Sequence, residues 1–230
     1  MVSSIGDLLK LGSDTLKGCF EAWFSVLSAP EHFTGSLDLT SNETLTKASV
    51  FAVFISLVNL LIQGPVLRSL GVQLETPTYL LVDTVLTYAG FFLAGVLYHL
   101  AAKIVRGRGA LLGSLVAFLY LTAWKPIGEL ITTPLVIEAM PLWLKHSGTR
   151  EFMSEFSKAL ADQPELLFSF ALLGIYVLCF VIWGARMFGV VHGLGAFRAF
   201  VLSVLGYLFG LAVPALLGLM QRMALVAFTK

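Results

Sequence analysis

The stretch AFLYLTAWKPIGELITTPLVIEAM, Ala117 to Met140, decides the reading of this chain. It is long and apolar enough to cross a bilayer, which takes about 20 mainly apolar residues. Yet it carries Lys125, Pro126, Glu129 and Pro134 near its middle. A charge at the bilayer centre costs roughly 2.5–3.5 kcal/mol on insertion scales, so each charge needs a partner or water. Each proline removes a backbone donor and crowds a carbonyl four residues back, here those of Thr122 and Leu130.

The rest of the chain supports the membrane reading. Of 230 residues, 57% are hydrophobic and 13% are charged, against roughly 25% charged in soluble domains. Long stretches have no charge at all, so the class is an all-α integral membrane protein. A net charge of +1 gives no reason to expect a nucleic-acid partner. Cys19 and Cys179 belong to no metal or redox spacing. GxxxxGK[ST], HExxH and paired-carboxylate di-iron spacings are also missing, so no cofactor, metal site or enzymatic activity is expected.

Five segments read as spans, at about 48–67, 79–105, 110–137, 166–188 and 196–219, within a transmembrane domain over 45–228. Residues 1–30 place Leu16, Cys19, Phe20, Trp23, Phe24 and Leu27 at helical spacing, with charges between them. They predict an amphipathic helix in the membrane interface or docked under a five-helix bundle, ended by Pro30. The recurring charges do not suit a signal peptide. The 138–165 connection contains Phe152, Phe156 and Leu160 every fourth residue, which predicts a short amphipathic helix. The Asp162–Gln163–Pro164 run then opens the fourth span.

Lys103, Arg106 and Arg108 in one short loop, and Arg186 and Arg198 around another, orient the chain by the positive-inside rule. The N terminus is expected in the cytoplasm. The C terminus and the 138–165 connection are expected outside, in a bacterial inner membrane or alternatively a eukaryotic endomembrane. In that orientation Lys125 lies about 22 Å along the third span, at ~1.5 Å per residue. Glu129 is one turn further out. Asn59 and Gln63 lie in the middle and outer part of the first span and Asp83 one turn in from the outside, so all five fall in the outer half of the bundle.

These five residues form a candidate intramembrane polar site, with two readings. One is a polar cavity for an ion, a proton relay or a headgroup. The other is an internal salt bridge from Lys125 to Glu129 or Asp83 that fixes a broken helix. Gly206 and Gly210 form a small-xxx-small pair suited to helix packing. Ser114 in LLGSLVAF and His192 in VVHGLGAF raise the possibility of intramembrane serine chemistry, while His99, near Lys103, reads as an interfacial residue. All lie near the cytoplasmic ends of their spans, and the expected nucleophile motif is missing.

One arrangement resembles a known family. AWFSVLSAPEHF (Ala22 to Phe33) precedes the first span, AFLYLTAWKPIGELI lies in the third, and ARMFGVVHGLGAFRAF leads into the fifth. This is similar to the five-span Ypt-interacting-protein family in a short prokaryotic form, over about residues 20–215. The matching positions are Trp23, Pro30, Pro126, Gly189, Gly193, Gly195, Arg198 and Ala199. The resemblance implies a non-enzymatic protein that binds other membrane proteins. The chain lacks the family's long hydrophilic N-terminal region and Asp-Leu-Tyr-Gly-Pro motif, so a small GTPase partner does not carry over. The expected function is an organising or accessory subunit that binds membrane lipids, another membrane protein or a second copy of itself. The alternative is a small transporter or channel subunit.

Overall fold

The computed structural model describes residues 5–69, 77–146 and 151–213. Every element among them is helical: α1 (Ile5–Ser28), α2 (Pro30–Gly35), α3 (Asn42–Ser69), α4 (Pro77–Ile104), α5 (Leu111–Leu121), a 3₁₀ turn (Thr122–Trp124), α6 (Lys125–His146), α7 (Glu151–Asp162), α8 (Pro164–His192) and α9 (Ala196–Gly210).

Four helical stretches are long and apolar enough to cross a membrane: Asn42–Gly64, Val85–Ile104, Leu111–Glu138 and Pro164–His192. That is the composition and length of a multi-pass integral membrane protein. The expected fifth span begins as α9, and its continuation from residue 214 lies outside the described residues. α3 starts earlier than the apolar run because Ser41 Oγ accepts the Glu43 amide as an N-cap. α1 ends at Ser28, as Pro30 leads one to expect, and Pro30 also occupies the first position of a further short helix, α2, where its missing N–H costs nothing.

The third span departs most from expectation. It is interrupted at Thr122–Trp124, and α6 then runs on to His146 rather than ending near residue 137. The break falls at the carbonyl that Pro126 crowds, while Pro126 itself sits in the first turn of α6. Thr122 Oγ1 turns back to the Leu119 carbonyl. At Pro134 the helix is uninterrupted. Thr133 Oγ1 donates to the Glu129 carbonyl at 2.8 Å and Thr132 Oγ1 to the Gly128 carbonyl at 2.9 Å. These hydroxyls bond carbonyls one and two residues before that of Leu130, which Pro134 leaves without its helical donor.

The chain divides into two compact units. The first comprises residues 1–56, 81–123 and 181–230. Its core is built from Phe51, Ile55, Tyr98, Leu119, Leu121, Phe188 and Leu202, all buried. Tyr98 stacks on Phe188 with ring centroids 4.6 Å apart and planes 19° apart. α1 docks on α2 and α5. Cys19 and Val26 are buried there, and Trp23 Nε1 donates to the Ala123 carbonyl inside the 3₁₀ turn at 2.9 Å. Trp183 Nε1 on α8 donates to the Val26 and Leu27 carbonyls, each at 3.1 Å, and secures the end of α1.

The second unit comprises residues 57–80 and 124–180. Here α6 packs against α7. The bare Cα of Gly128 lies under the Tyr176 ring, so that an added Cβ would come within 2.6 Å of it. The predicted amphipathic helix of the long connection is α7, with Phe152 stacked on Phe156 at 5.7 Å.

Candidate functional site

Two of the sequence's polar candidates, Ser114 and His192, lie 78 residues apart and meet in the first unit. Two helix ends bring them together. α8 ends in a glycine cap: Gly193 has φ +61°, its amide donates to the Val190 carbonyl, and the Leu194 amide donates to the Gly189 carbonyl. α4 ends in the same hydrogen-bond pattern, with Arg106 at φ 63° in the left-handed position. There the Arg106 amide donates to Lys103 O and the Gly107 amide to Ala102 O.

The Arg108 amide then donates to the His192 carbonyl at 3.2 Å and joins the two ends. Glycines are required at this junction. A Cβ on Gly107 would lie 3.0 Å from His192 Cβ, and one on Gly109 would overlap the Val191 carbonyl and sit 2.7 Å from His192 Nδ1. A Cβ added to Gly95 on α4 would lie 3.3 Å from Leu115 Cα of α5, so the bare glycine lets α5 pack close to α4 beside His99.

The result is a hydrogen-bonded chain of three side chains. His99 Nδ1 lies 3.0 Å from Ser114 Oγ, and Ser114 Oγ lies 2.9 Å from His192 Nε2. Ser114 has one hydroxyl hydrogen. It can donate to one partner only, an imidazole or the Ala110 carbonyl 3.4 Å away, and accepts an N–H from at least one of the two imidazoles. Ser114 is fully buried and His192 is 1% exposed, while His99 is half-buried. His192 Nδ1 has no hydrogen-bond partner among the described residues. A catalytic serine–histidine pair has that far nitrogen oriented by a third group and its hydroxyl open to substrate. Neither condition is met by the described residues. The arrangement ties α4, α5 and α8 together at their shared end. Among the described residues, no group of three or more His, Cys, Asp or Glu side chains is placed to hold a metal ion.

The same end of the first unit carries an open cleft of about 740 Å³, lined mainly by apolar side chains of α8 and α9, with Ile182, Val190, Leu194, Phe197 and Phe200 prominent. Its charged members are Arg186 and Glu31, whose Nε and Oε1 are 3.8 Å apart. The Arg186 guanidinium lies 5.7 Å from the centroid of the Trp183 ring. The α8–α9 pair that forms the cleft approaches closely because Gly184 lies directly against Ser203 Oγ.

The sequence-predicted polar residues fall elsewhere. Asn59, Gln63, Lys125 and Glu129 all belong to the second unit. Asn59 is 3% exposed, and neither of its amide atoms has a hydrogen-bond partner among the described residues. Gln63, Lys125 and Glu129 are half-buried, the last two one turn apart on α6. Asp83 is on α4, and its side chain lies outside the described residues. Gly206 meets the Tyr98 ring, whereas Gly210 faces open space.

The chain matches no protein-family model, no curated protein and no solved structure.

Proposed function

We propose that this chain is a non-enzymatic multi-pass membrane protein, an organising or accessory subunit that holds a lipid or another membrane protein at the basic end of its first unit. One observation carries this reading. At that end Ser114 and His192 are enclosed between helices, while the surface left open is an apolar cleft with a cation on its rim. Such a surface favours binding over bond-making. The resemblance to the Ypt-interacting-protein family agrees with it, and by the positive-inside rule the basic loops favour the cytoplasmic leaflet of a bacterial inner membrane for this end.

Native mass spectrometry of the protein released from its own membrane in polymer nanodiscs tests the proposal. A monomer or oligomer carrying bound lipid, or a second subunit, is expected. A bare monomer at the gentlest release energies would overturn it.

A second reading rests on Asn59. A buried amide without partners costs about 1–3 kcal/mol, and a polar ligand passing through the second unit would offset that cost. With Lys125 and Glu129 half-buried in the same unit, this is the transporter or channel alternative. Asn59→Leu should then abolish proton or monovalent-cation flux in proteoliposomes while raising thermal stability. No flux from the wild-type protein retires this reading.

A further inference from the structure

We infer that the cleft between α8 and α9 is a binding site for one anionic phospholipid, with its phosphate on Arg186, with Phe197 and Phe200 beside the headgroup and with an acyl chain along Ile182. This deepens the proposed function by naming the ligand, and it rests on that reading.

The argument begins with depth. α8 has 29 residues, or about 43 Å at ~1.5 Å per residue, against a hydrocarbon core of roughly 30 Å. Its last turns therefore reach the headgroup region. Arg186, eight residues past the helix midpoint near Leu178, is about 12 Å from the centre. Its side chain points its charge outward from there by snorkelling.

The local chemistry fits an anion. Glu31 meets Arg186 at 3.8 Å, near the outer limit of an ion pair, and both side chains are at least half exposed. Exposed pairs of this kind contribute little, so a phosphate can take the place of Glu31. Among the described residues no other acidic group meets Arg186. The stack on Trp183 holds the guanidinium in place, and that indole is itself held by two carbonyls of α1.

Charge complementarity extends beyond the cleft. Lys103, Arg106, Arg108 and Arg198 are all exposed at the same end, where the Arg108 amide is joined to the end of α8. Basic clusters between helices on the cytoplasmic side bind acidic headgroups.

The apolar lining supplies the second half of the recognition. Phe197 is 80% exposed and Phe200 is 41% exposed. Both project from the first turns of α9, level with the end of α8, and flank the headgroup, while Ile182, one turn deeper than Arg186 on α8, lines the cleft below it and meets the acyl chain. A free phosphate would use Arg186 alone. A neutral lipid would use the lining alone. Only a lipid with a net negative headgroup uses both.

The test measures retention of lipid on the full-length protein by native mass spectrometry, after titration with phosphatidylglycerol or phosphatidylcholine of identical acyl chains. Phosphatidylglycerol should be retained about tenfold more strongly, since each basic group near the surface favours an anionic lipid by several-fold. Arg186→Gln should reduce retention to the phosphatidylcholine level, and Glu31→Gln should increase it. Ala196→Trp, which fills the cleft and leaves every charge in place, should block binding. Glycerol phosphate without acyl chains should not compete.

Lys158→Gln, on α7 of the second unit, should have no effect. Unchanged melting temperatures will show that the variants are folded, and Ala185→Trp provides a second cleft-filling variant should Ala196→Trp fail to fold. Equal retention of the two lipids, indifference to Arg186→Gln, or competition by glycerol phosphate would each overturn the inference. If a partner subunit is co-released and no lipid preference exists, the inference fails and the accessory-subunit reading stands.

Discussion

Gly206→Ala should destabilise this protein, although alanine is the better helix former. An ideal Cβ at Gly206 would lie 2.5, 2.6 and 2.7 Å from Cδ1, Cε1 and Cγ of Tyr98. Carbon–carbon contacts are comfortable at about 3.5–4.0 Å, so the ring would have to retreat by about 1 Å. It has nowhere to go. Tyr98 is 1% exposed, stacked on Phe188 at 4.6 Å and packed on Phe118 at 5.3 Å. Overpacking of a well-filled core costs typically 1–3 kcal/mol, and these contacts are ring carbons, which places the cost in the upper half. The Gly-to-Ala propensity gain of about 1 kcal/mol opposes it. The net loss is about 1–2 kcal/mol.

Gly210 provides the internal control, because nothing lies within 4 Å of its added Cβ. Gly210→Ala should be neutral or stabilising. For a chain of this size, about 1 kcal/mol moves the melting temperature by ~2–4 °C. Thermal scans in one detergent should therefore lower the midpoint for Gly206→Ala by a few degrees and raise it or leave it for Gly210→Ala. Tyr98→Leu, costly alone, should make the added Gly206→Ala harmless. If both alanine variants behave alike, α9 does not pack on α4 through Gly206, and the arrangement of the first unit is wrong.

Two further outcomes follow from the same unit. Trp23→Phe keeps an aromatic ring against Phe54 but removes the indole donor to the Ala123 carbonyl. It should cost about 0.5–1.5 kcal/mol in the same melting assay, and full retention of stability would mean that α1 does not secure the 3₁₀ turn. Arg106→Gly relieves a left-handed backbone that L side chains adopt at roughly 1–2 kcal/mol. Melting should rise by a degree or more, and a fall would mean that the arginine side chain contributes contacts exceeding the strain.

The long helices were legible because lipid-spanning segments need length and apolarity, both visible along one chain. α4, α7 and α8 lie close to the predicted bounds for that reason. The break in the third span was legible in kind, since a proline in a helix disturbs the carbonyl four residues back. Its extent was not, because whether Pro134 interrupts α6 depends on how the turn before it settles, and Thr132 and Thr133 serve carbonyls there. Pro30 marks the end of α1 at Ser28 as expected, but the short helix it opens was not legible, because a proline ends one helix and begins the next with equal ease.

The Ser114–His192 pair shows the other limit. Sequence placed both residues at the same end of their spans, but depth fixes one coordinate only. Which helices are neighbours depends on packing, and the only trace of it in the sequence is the glycines of GRG at 107–109 and of HGLG at 192–195. Those glycines do what bulkier residues there could not: they let one loop close over an imidazole. Depth along the spans puts Asn59, Lys125 and Glu129 in the membrane interior, and in the second unit Asn59 is buried and Lys125 and Glu129 are half-buried.

The central claim is that Ser114 joins helices and is not a nucleophile. A stability cycle on Ser114→Ala and His192→Phe, combined with fluorophosphonate labelling of the wild-type protein read by intact mass, tests it most directly. Ser114→Ala strips the hydroxyl from two imidazoles, one of them 1% exposed. The expected loss is about 1–3 kcal/mol. His192→Phe preserves the ring face toward Phe188, and the double variant should lose less than the sum of the two, with no phosphonate adduct on the wild type. An unchanged melting temperature for Ser114→Ala together with a single adduct on Ser114 would contradict the account and make the cluster a reaction centre.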